Sequence, residues 1–277
     1  RLRLEAQGEI AGRRAEGFTA ADYAQHVMKL KPIVPKGFTL VLQPPFVVVG
    51  DERPQVVRDR AEHTVKWAVD HLKRAYFEKD PAEIITIWLF RDDASYRKHN
   101  AEIFRAKPTT PFGFYSSTHR ALIMNIATGG GTLVHEIVHP FMRANFPECP
   151  DWFNEGLASL YEQSSERSGR ICGLTNWRLA GLQEAIRDGA LGSFQELTAT
   201  STAQFYGMGS GVNYAQARYL CYYLQEKGLL QAFYRAFREG HGRDPTGYAT
   251  LKRVLGQEDM DAFQKQWQQW VLTLRFP

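Results

Sequence analysis

His135-Glu136-Ile137-Val138-His139 is the stretch of this chain whose residue types and spacing can do chemistry. Residues four apart share one face of an α-helix, so the imidazoles at 135 and 139 point into one space and can hold one tetrahedral zinc ion. Glu136 follows His135 directly, and in this arrangement its carboxylate reaches the water on the open side of the metal rather than the metal itself. Zinc lowers the pKa of such a water toward ~7, and a neighbouring carboxylate can take its proton as it attacks a carbonyl. Ile137 and Val138 are apolar, so the other side of the same helix is expected to face a core.

A catalytic zinc has three protein ligands and one open position. The third ligand is expected from a second helix close by in the chain, and the run Trp152-Phe153-Asn154-Glu155-Gly156-Leu157-Ala158 supplies one. Pro150 and Asp151 start that helix and Glu155 lies in its second turn. The short loop 146–150 folds the two helices back as an antiparallel pair. Three other carboxylates are within reach. Glu148 and Asp151 suit loop and cap roles, and Glu162 falls at the exposed end. The expected metal ligands are therefore His135, His139 and Glu155, with zinc as cofactor and Glu136 as general base.

Taken together, His135-Glu136-x-x-His139 and Asn154-Glu155-Gly156-Leu157-Ala158 resemble the gluzincin superfamily, zinc metallopeptidases with a thermolysin-like catalytic fold. The likeness is closer to bacterial peptidase-like domains that carry a Trp-Phe-Asn-Glu-Gly-Leu-Ala segment, and it covers about residues 112–165. It implies the same ligands and base. It also implies that the strand Ala121–Ala127 is the sheet edge along which an extended substrate pairs. Aminopeptidase-type members place a tyrosine downstream of the ligand Glu as a donor to the developing oxyanion. Tyr214 is the choice here, with Tyr206 and His241 as alternatives, and simple packing at a helix start is an equal reading of Tyr214. Two positions depart from the pattern. Ser159 stands where many members have an acidic residue that orients a ligand histidine. Pro140 cannot donate to the carbonyl of Glu136 and should bend the helix there.

The elements that must position these residues follow from periodicity and breakers. Thr19 and Asp22 suggest a capped helix carrying Tyr23, Val27 and Leu30, ended by Pro32 and Pro35. Strands are expected at Phe38–Gln43, Phe46–Gly50 and Ile84–Phe90, with a long amphipathic helix from Pro54 to Phe77 and another from Asp92-Asp93 to about Arg105. Phe112–Ser116 and Ala121–Ala127 read as a hairpin with His119 at its tip. Gly129, Gly130 and Gly131 then loosen the backbone, letting the edge strand pass close over a helix that opens near Thr132. Helices are expected at Thr132–Asn145, Asp151–Gln163, Asn176–Asp188, Asn213–Lys227, Leu229–Arg238 and Asp259–Leu274. The loop Gly207–Gly211 reads as a lid or a linker. Trp152 and Phe153 are expected to fix the ligand helix, and Trp267 and Trp270 to dock the last one.

The expected fold is α+β: a small mixed sheet with helices in the N-terminal part, a helical C-terminal part, and the zinc site between them. Its divisions are an arm or helix at 1–35, a sheet lobe at 36–131 and a helical lobe carrying the zinc site at 132–277, the lobes forming one catalytic domain. Hydrophobic residues make up 44% and charged residues 23%, which excludes disorder for most of the length. The net charge of +4 comes without a dense Lys/Arg block, which disfavours nucleic acid as a partner. No apolar stretch approaches the about 20 residues a membrane span needs. The chain begins at Arg1, which reads as a processed form, and a Cys149–Cys172 disulfide would suit an oxidising compartment. Together these give an extracytoplasmic expectation, periplasmic or secreted. Cys221 reads as a buried thiol. The partner is a peptide or protein substrate, and the reading is a zinc metallopeptidase. The alternative is a zinc-binding pseudo-peptidase that binds peptide without cutting. A purely structural role for the histidine pair would leave ionisable groups buried without purpose.

Overall fold

A computed structural model describes residues 4–6, by their backbone, and 17–277 apart from residue 109. The fold is α+β, with the mixed sheet and its helices in the N-terminal part and a mainly helical C-terminal part. The chain divides into two compact units: Arg1–Lys73 with Phe77–Ala144, and Arg74–Tyr76 with Asn145–Pro277.

The first unit is built on a six-stranded sheet of order β1-β2-β3-β4-β6-β5. Its strands are β1 (Leu4–Ala6), β2 (Thr39–Gln43), β3 (Phe46–Gly50), β4 (Ile85–Phe90), β5 (Gly113–Ser116) and β6 (Ala121–Asn125). Side chains alternate across a strand, so each face takes every second residue. One face carries Leu40, Val47, Val49, Trp88, Phe90, Ala121 and Ile123. It is covered by α1 (Ala20–Leu30) through Tyr23, Val27 and Leu30, and by α4 (Asp93–Ile103) through Tyr96. The expected Thr19/Asp22 capping box opens α1, and Asp92 caps α4. On the opposite face Phe46 meets Phe141 of α5 (Gly130–Asn145), the helix that carries the histidine pair. Ile137, Val138 and Phe141 are fully buried, which seats α5 in the core.

The long helix expected from Pro54 to Phe77 forms, but not as one regular element. It runs as α2 (Pro54–Arg60), a π-helical stretch (Ala61–Lys66) and α3 (Trp67–Ala75). Val57, Ala61, Val65, Ala68 and Leu72 are all buried along it. The widened turns stretch the spacing of the buried stripe, which a single 3.6-residue period does not express. Thr64 in that stretch approaches the start of α5: a Cβ on Gly130 would lie 3.4 Å from its Cγ2.

Two local expectations are corrected near the site. β6 is not the sheet edge, because it pairs parallel with β4 on one side and antiparallel with β5 on the other. The edge on this side of the sheet is β5, whose Tyr115 lies under the Arg143 guanidinium of α5 at 4.9 Å. The glycines also do a different job from the one expected. Gly129 is needed for its backbone, at φ 107°, with open space where a Cβ would be, and α5 already begins at Gly130 rather than Thr132. The helix continues through Pro140 to Asn145.

The second unit carries α6 (Asp151–Leu160), the hairpin β7 (Ser164–Arg167) and β8 (Arg170–Gly173), and then α7 (Arg178–Arg187), α8 (Phe194–Thr198), α9 (Thr202–Phe205), α10 (Ser210–Glu226), α11 (Leu230–Gly240), α12 (Tyr248–Leu255) and α13 (Met260–Thr273). The hairpin, α8, α9 and α12 are additions to the elements expected from sequence. Ser168-Gly169 turns the hairpin with both residues at positive φ, a two-residue turn whose Ser-Gly signal stands in the sequence. Trp152 and Phe153 are buried in an aromatic cluster with Phe233 and Phe237, and Trp152 donates its indole N–H to the Thr246 carbonyl. Trp267 donates to the Tyr219 carbonyl and Trp270 packs on Tyr223, so both dock α13 as expected.

α6 is fixed against α10 by close approach and by a buried cation. A Cβ on Gly156 would lie 3.0 Å from the Ala217 carbonyl oxygen and 3.1 Å from Cys221 Sγ. Gly156→Ala is therefore expected to cost about 1–3 kcal/mol by overpacking, read as a lower Tm in thermal unfolding. An unchanged Tm would show that the two helices can part at no cost. The fully buried Arg218 donates from Nε to the Ser159 carbonyl and from Nη2 to the carbonyls of Leu160 and Leu174. It thus satisfies the last carbonyls of α6, which have no partner within the helix. Burial lowers its guanidinium to about 10, leaving it charged at neutral pH.

Cys149, Cys172 and Cys221 are free thiols, so the Cys149–Cys172 pairing considered above is not formed. Cys149 sits in the loop before α6 and Cys172 in β8, each with its sulfur turned to a local carbonyl. Among the described residues, no helix is long and apolar enough to cross a membrane.

Candidate metal centre

α5 presents His135 and His139 side by side, their ring centroids 4.9 Å apart. His135 is buried and His139 half-buried. Glu136, between them in sequence, is half-buried. It lies close enough to Tyr96 that its charge adds to the effect of burial, which pushes the Tyr96 phenol up to about 12 against the opposing pull of Arg97.

On α6, Glu155 is buried and held by a specific donor: the Tyr206 hydroxyl donates a hydrogen bond to Glu155 Oε1 at 2.7 Å. Burial first, and the Glu155 carboxylate second, push the Tyr206 phenol far above its ordinary range, so it stays protonated and donating. Ser159 donates its hydroxyl to the Glu155 carbonyl one turn back, so its proton serves its own helix.

His135, His139 and Glu155 each offer one ligand atom, and those atoms all lie within 4.8 Å of one another. Among the described residues this is the one group of three or more His, Cys, Asp or Glu side chains so arranged. Two imidazole nitrogens and one carboxylate oxygen make up a donor set found at catalytic zinc, and two of its three members are buried. The residues present therefore fit such an ion.

The rival carboxylates have other roles. Glu148 is exposed. Asp151 accepts from the Thr202 hydroxyl at 2.6 Å. Glu162 does not lie at an exposed end as expected: it is buried, accepts from Arg178 Nε and Nη2 at 3.1 and 2.9 Å, and takes the Asn176 amide at 3.1 Å. Glu162 just follows α6, and the chain returns after the hairpin to cover it with Asn176 and Arg178.

Tyr214 lies one turn into α10, its ring against Phe205 and Tyr206 and under the Arg178 guanidinium at 5.1 Å. His241 packs among the rings of Phe146 and Phe237. Tyr206, named above only as an alternative, is the tyrosine bonded to Glu155. Its position depends on the short helix α9, which the sequence signals only by Ser201 and Gln204 at capping-box spacing. His119 is exposed at the hairpin tip and bonds Ser116, the turn role expected of it. The glycine-rich loop is shorter than expected, since Gly209 at φ 81° caps α10 and Ser210 begins it.

No protein-family model and no curated protein sequence matches this chain.

Proposed function

We propose that this chain is a zinc-dependent peptidase, with His135, His139 and Glu155 holding the ion and Glu136 acting as general base. The observation that carries the reading is the convergence of the three ligand atoms within 4.8 Å on residues from a His-Glu-x-x-His helix and an Asn-Glu-Gly-Leu-Ala helix. A zinc ion held there supplies Lewis acidity, which acidifies water and polarises a substrate carbonyl.

The protein's own residues do the rest. His135 and His139 are presented by a helix seated in the core through Ile137, Val138 and Phe141, so their separation is set by rigid backbone. Glu136 takes a proton from the attacking water and returns it to the departing amine, which needs a carboxylate that stays accessible, and Glu136 is half-buried rather than enclosed. A phenol donor for the developing negative charge is assigned to Tyr214, with Tyr206 next to it. The substrate class is peptide or protein.

A second reading, a zinc-binding pseudo-peptidase, draws on one observation. Ser159 gives its hydroxyl proton to the Glu155 carbonyl, and it stands where the resembled family carries an acidic group that supports a ligand histidine. Losing an outer partner of a metal ligand costs metal affinity or activity.

The test is zinc content and hydrolysis of a mixed peptide library by the purified chain. We expect one zinc per chain, cleavage that stops with 1,10-phenanthroline, and recovery when zinc is returned. Stoichiometric zinc without cleavage selects the binding module. No zinc uptake after reconstitution rejects both readings.

A further inference from the structure

α9 is a single turn of helix, too short to be stable by itself. It is nevertheless fixed at every point. Ser201 and Gln204 close a capping box at its start. The Asn213 amide of α10 donates to the carbonyls of Gln204 and Phe205 at its end, and Phe205 is fully buried. Thr202 and Tyr206 are four apart, as are Asp151 and Glu155 on α6. The two pairs meet in register: Thr202 Oγ1 donates to Asp151 at 2.6 Å and Tyr206 Oη to Glu155 at 2.7 Å. Tyr206 Oη stands 3.5 Å from Asp151 Oδ1, a much weaker contact. Thr202 thus aligns α9 on α6, and the aligned helix delivers one phenol to the expected ligand carboxylate.

We propose that Tyr206 is a positioning residue for Glu155, fixing the rotation of its carboxylate so that the ligand oxygen is set before a metal arrives. This rests on the metal-site reading above, and it differs from an oxyanion role in what it predicts. A donor to the reacting oxyanion affects turnover and leaves metal affinity alone. A residue that orients a ligand changes metal affinity whether or not substrate is present, by roughly 10- to 100-fold for outer partners of metal ligands. A carboxylate that loses this donor is held less firmly, and part of its preorganisation goes with it.

The test is zinc affinity by competition with a chromophoric chelator, without substrate, for the parent, Tyr206→Phe and Asp151→Asn. Far-UV circular dichroism of the metal-free proteins confirms that each variant is folded. We expect Tyr206→Phe to bind zinc roughly 10- to 100-fold more weakly than the parent, with Asp151→Asn within about threefold of the parent. Parent affinity in Tyr206→Phe overturns the positioning role and leaves the metal site standing. The amide oxygen in Asp151→Asn can still accept from Thr202 Oγ1, so α9 stays aligned and only the charge is lost. An equal loss there would show that the Asp151 charge, not the Tyr206 hydrogen bond, sets the affinity, and overturns the positioning role. A parent that takes up no zinc overturns the metal reading, and the Tyr206 role with it.

Discussion

Glu136→Gln is expected to lower kcat for peptide hydrolysis by roughly 10²- to 10⁴-fold, the usual contribution of a positioned general base. Zinc content should not change. The amide is nearly isosteric with the carboxylate, so it keeps the packing of α5 and removes only the capacity to accept a proton. Glu136 is half-buried beside Tyr96 and shares its helix with both histidines, whose rings stand 4.9 Å apart, but it is not one of the three converging ligand atoms. Steady-state kinetics on a peptide found with the library, with elemental analysis of the same sample, reads both quantities. A fall in kcat with KM unchanged and zinc retained assigns the proton transfer to Glu136. Loss of zinc would instead make Glu136 a ligand, and undiminished kcat would remove it from the mechanism.

Arg178→Met is expected to destabilise the protein by about 3–5 kcal/mol, because it takes away the bidentate cation partner of a buried carboxylate. The pair is bidentate, with the Glu162 side chain 7% exposed and that of Arg178 23% exposed, so solvent screening is limited. Burial opposes the Arg178 charge, but the hydrogen bonds and charge of Glu162 outweigh it and hold the guanidinium above its ordinary pKa. Denaturant unfolding should show a lower midpoint at unchanged slope. The double variant Arg178→Met, Glu162→Gln should recover a large part of the loss, since the remaining amide carries no charge and Asn176 can still pair with it. A single variant as stable as the parent would show that water or another cation reaches Glu162. The same guanidinium lies over Tyr214, so the variant also tests whether that ring depends on it.

The candidate metal ligands are legible in the sequence because their signals are local. A His-Glu-x-x-His spacing needs only a helix to bring its imidazoles together, and the apolar residues between them make the helix amphipathic. The strands 39–43, 46–50 and 85–90 were equally clear, being β-branched or aromatic runs ended by Pro, Gly or Asp. The capping boxes at Thr19 and Ser201 are each written into a few adjacent residues.

What the sequence left open depends on partners distant in the chain. Which strand forms the sheet edge is decided by pairing order, and nothing within Ala121–Asn125 says that β4 lies on one side of it and β5 on the other. Glu162 and Glu155 are both carboxylates on or next to one helix. Only the fold gives the first to Arg178 and brings the second to within 4.8 Å of the histidine nitrogens. Among the tyrosines the sequence favours Tyr214 as the donor, with Tyr206 as an alternative. The docking of a four-residue helix, held by Thr202 and Asn213, puts the hydroxyl of Tyr206 on Glu155. Local chemistry is thus set by side-chain type and short-range spacing, which a sequence displays directly. Pairing among buried polar groups is chosen by packing and by the cost of leaving any of them unmatched, and that choice is made only when the whole chain has folded.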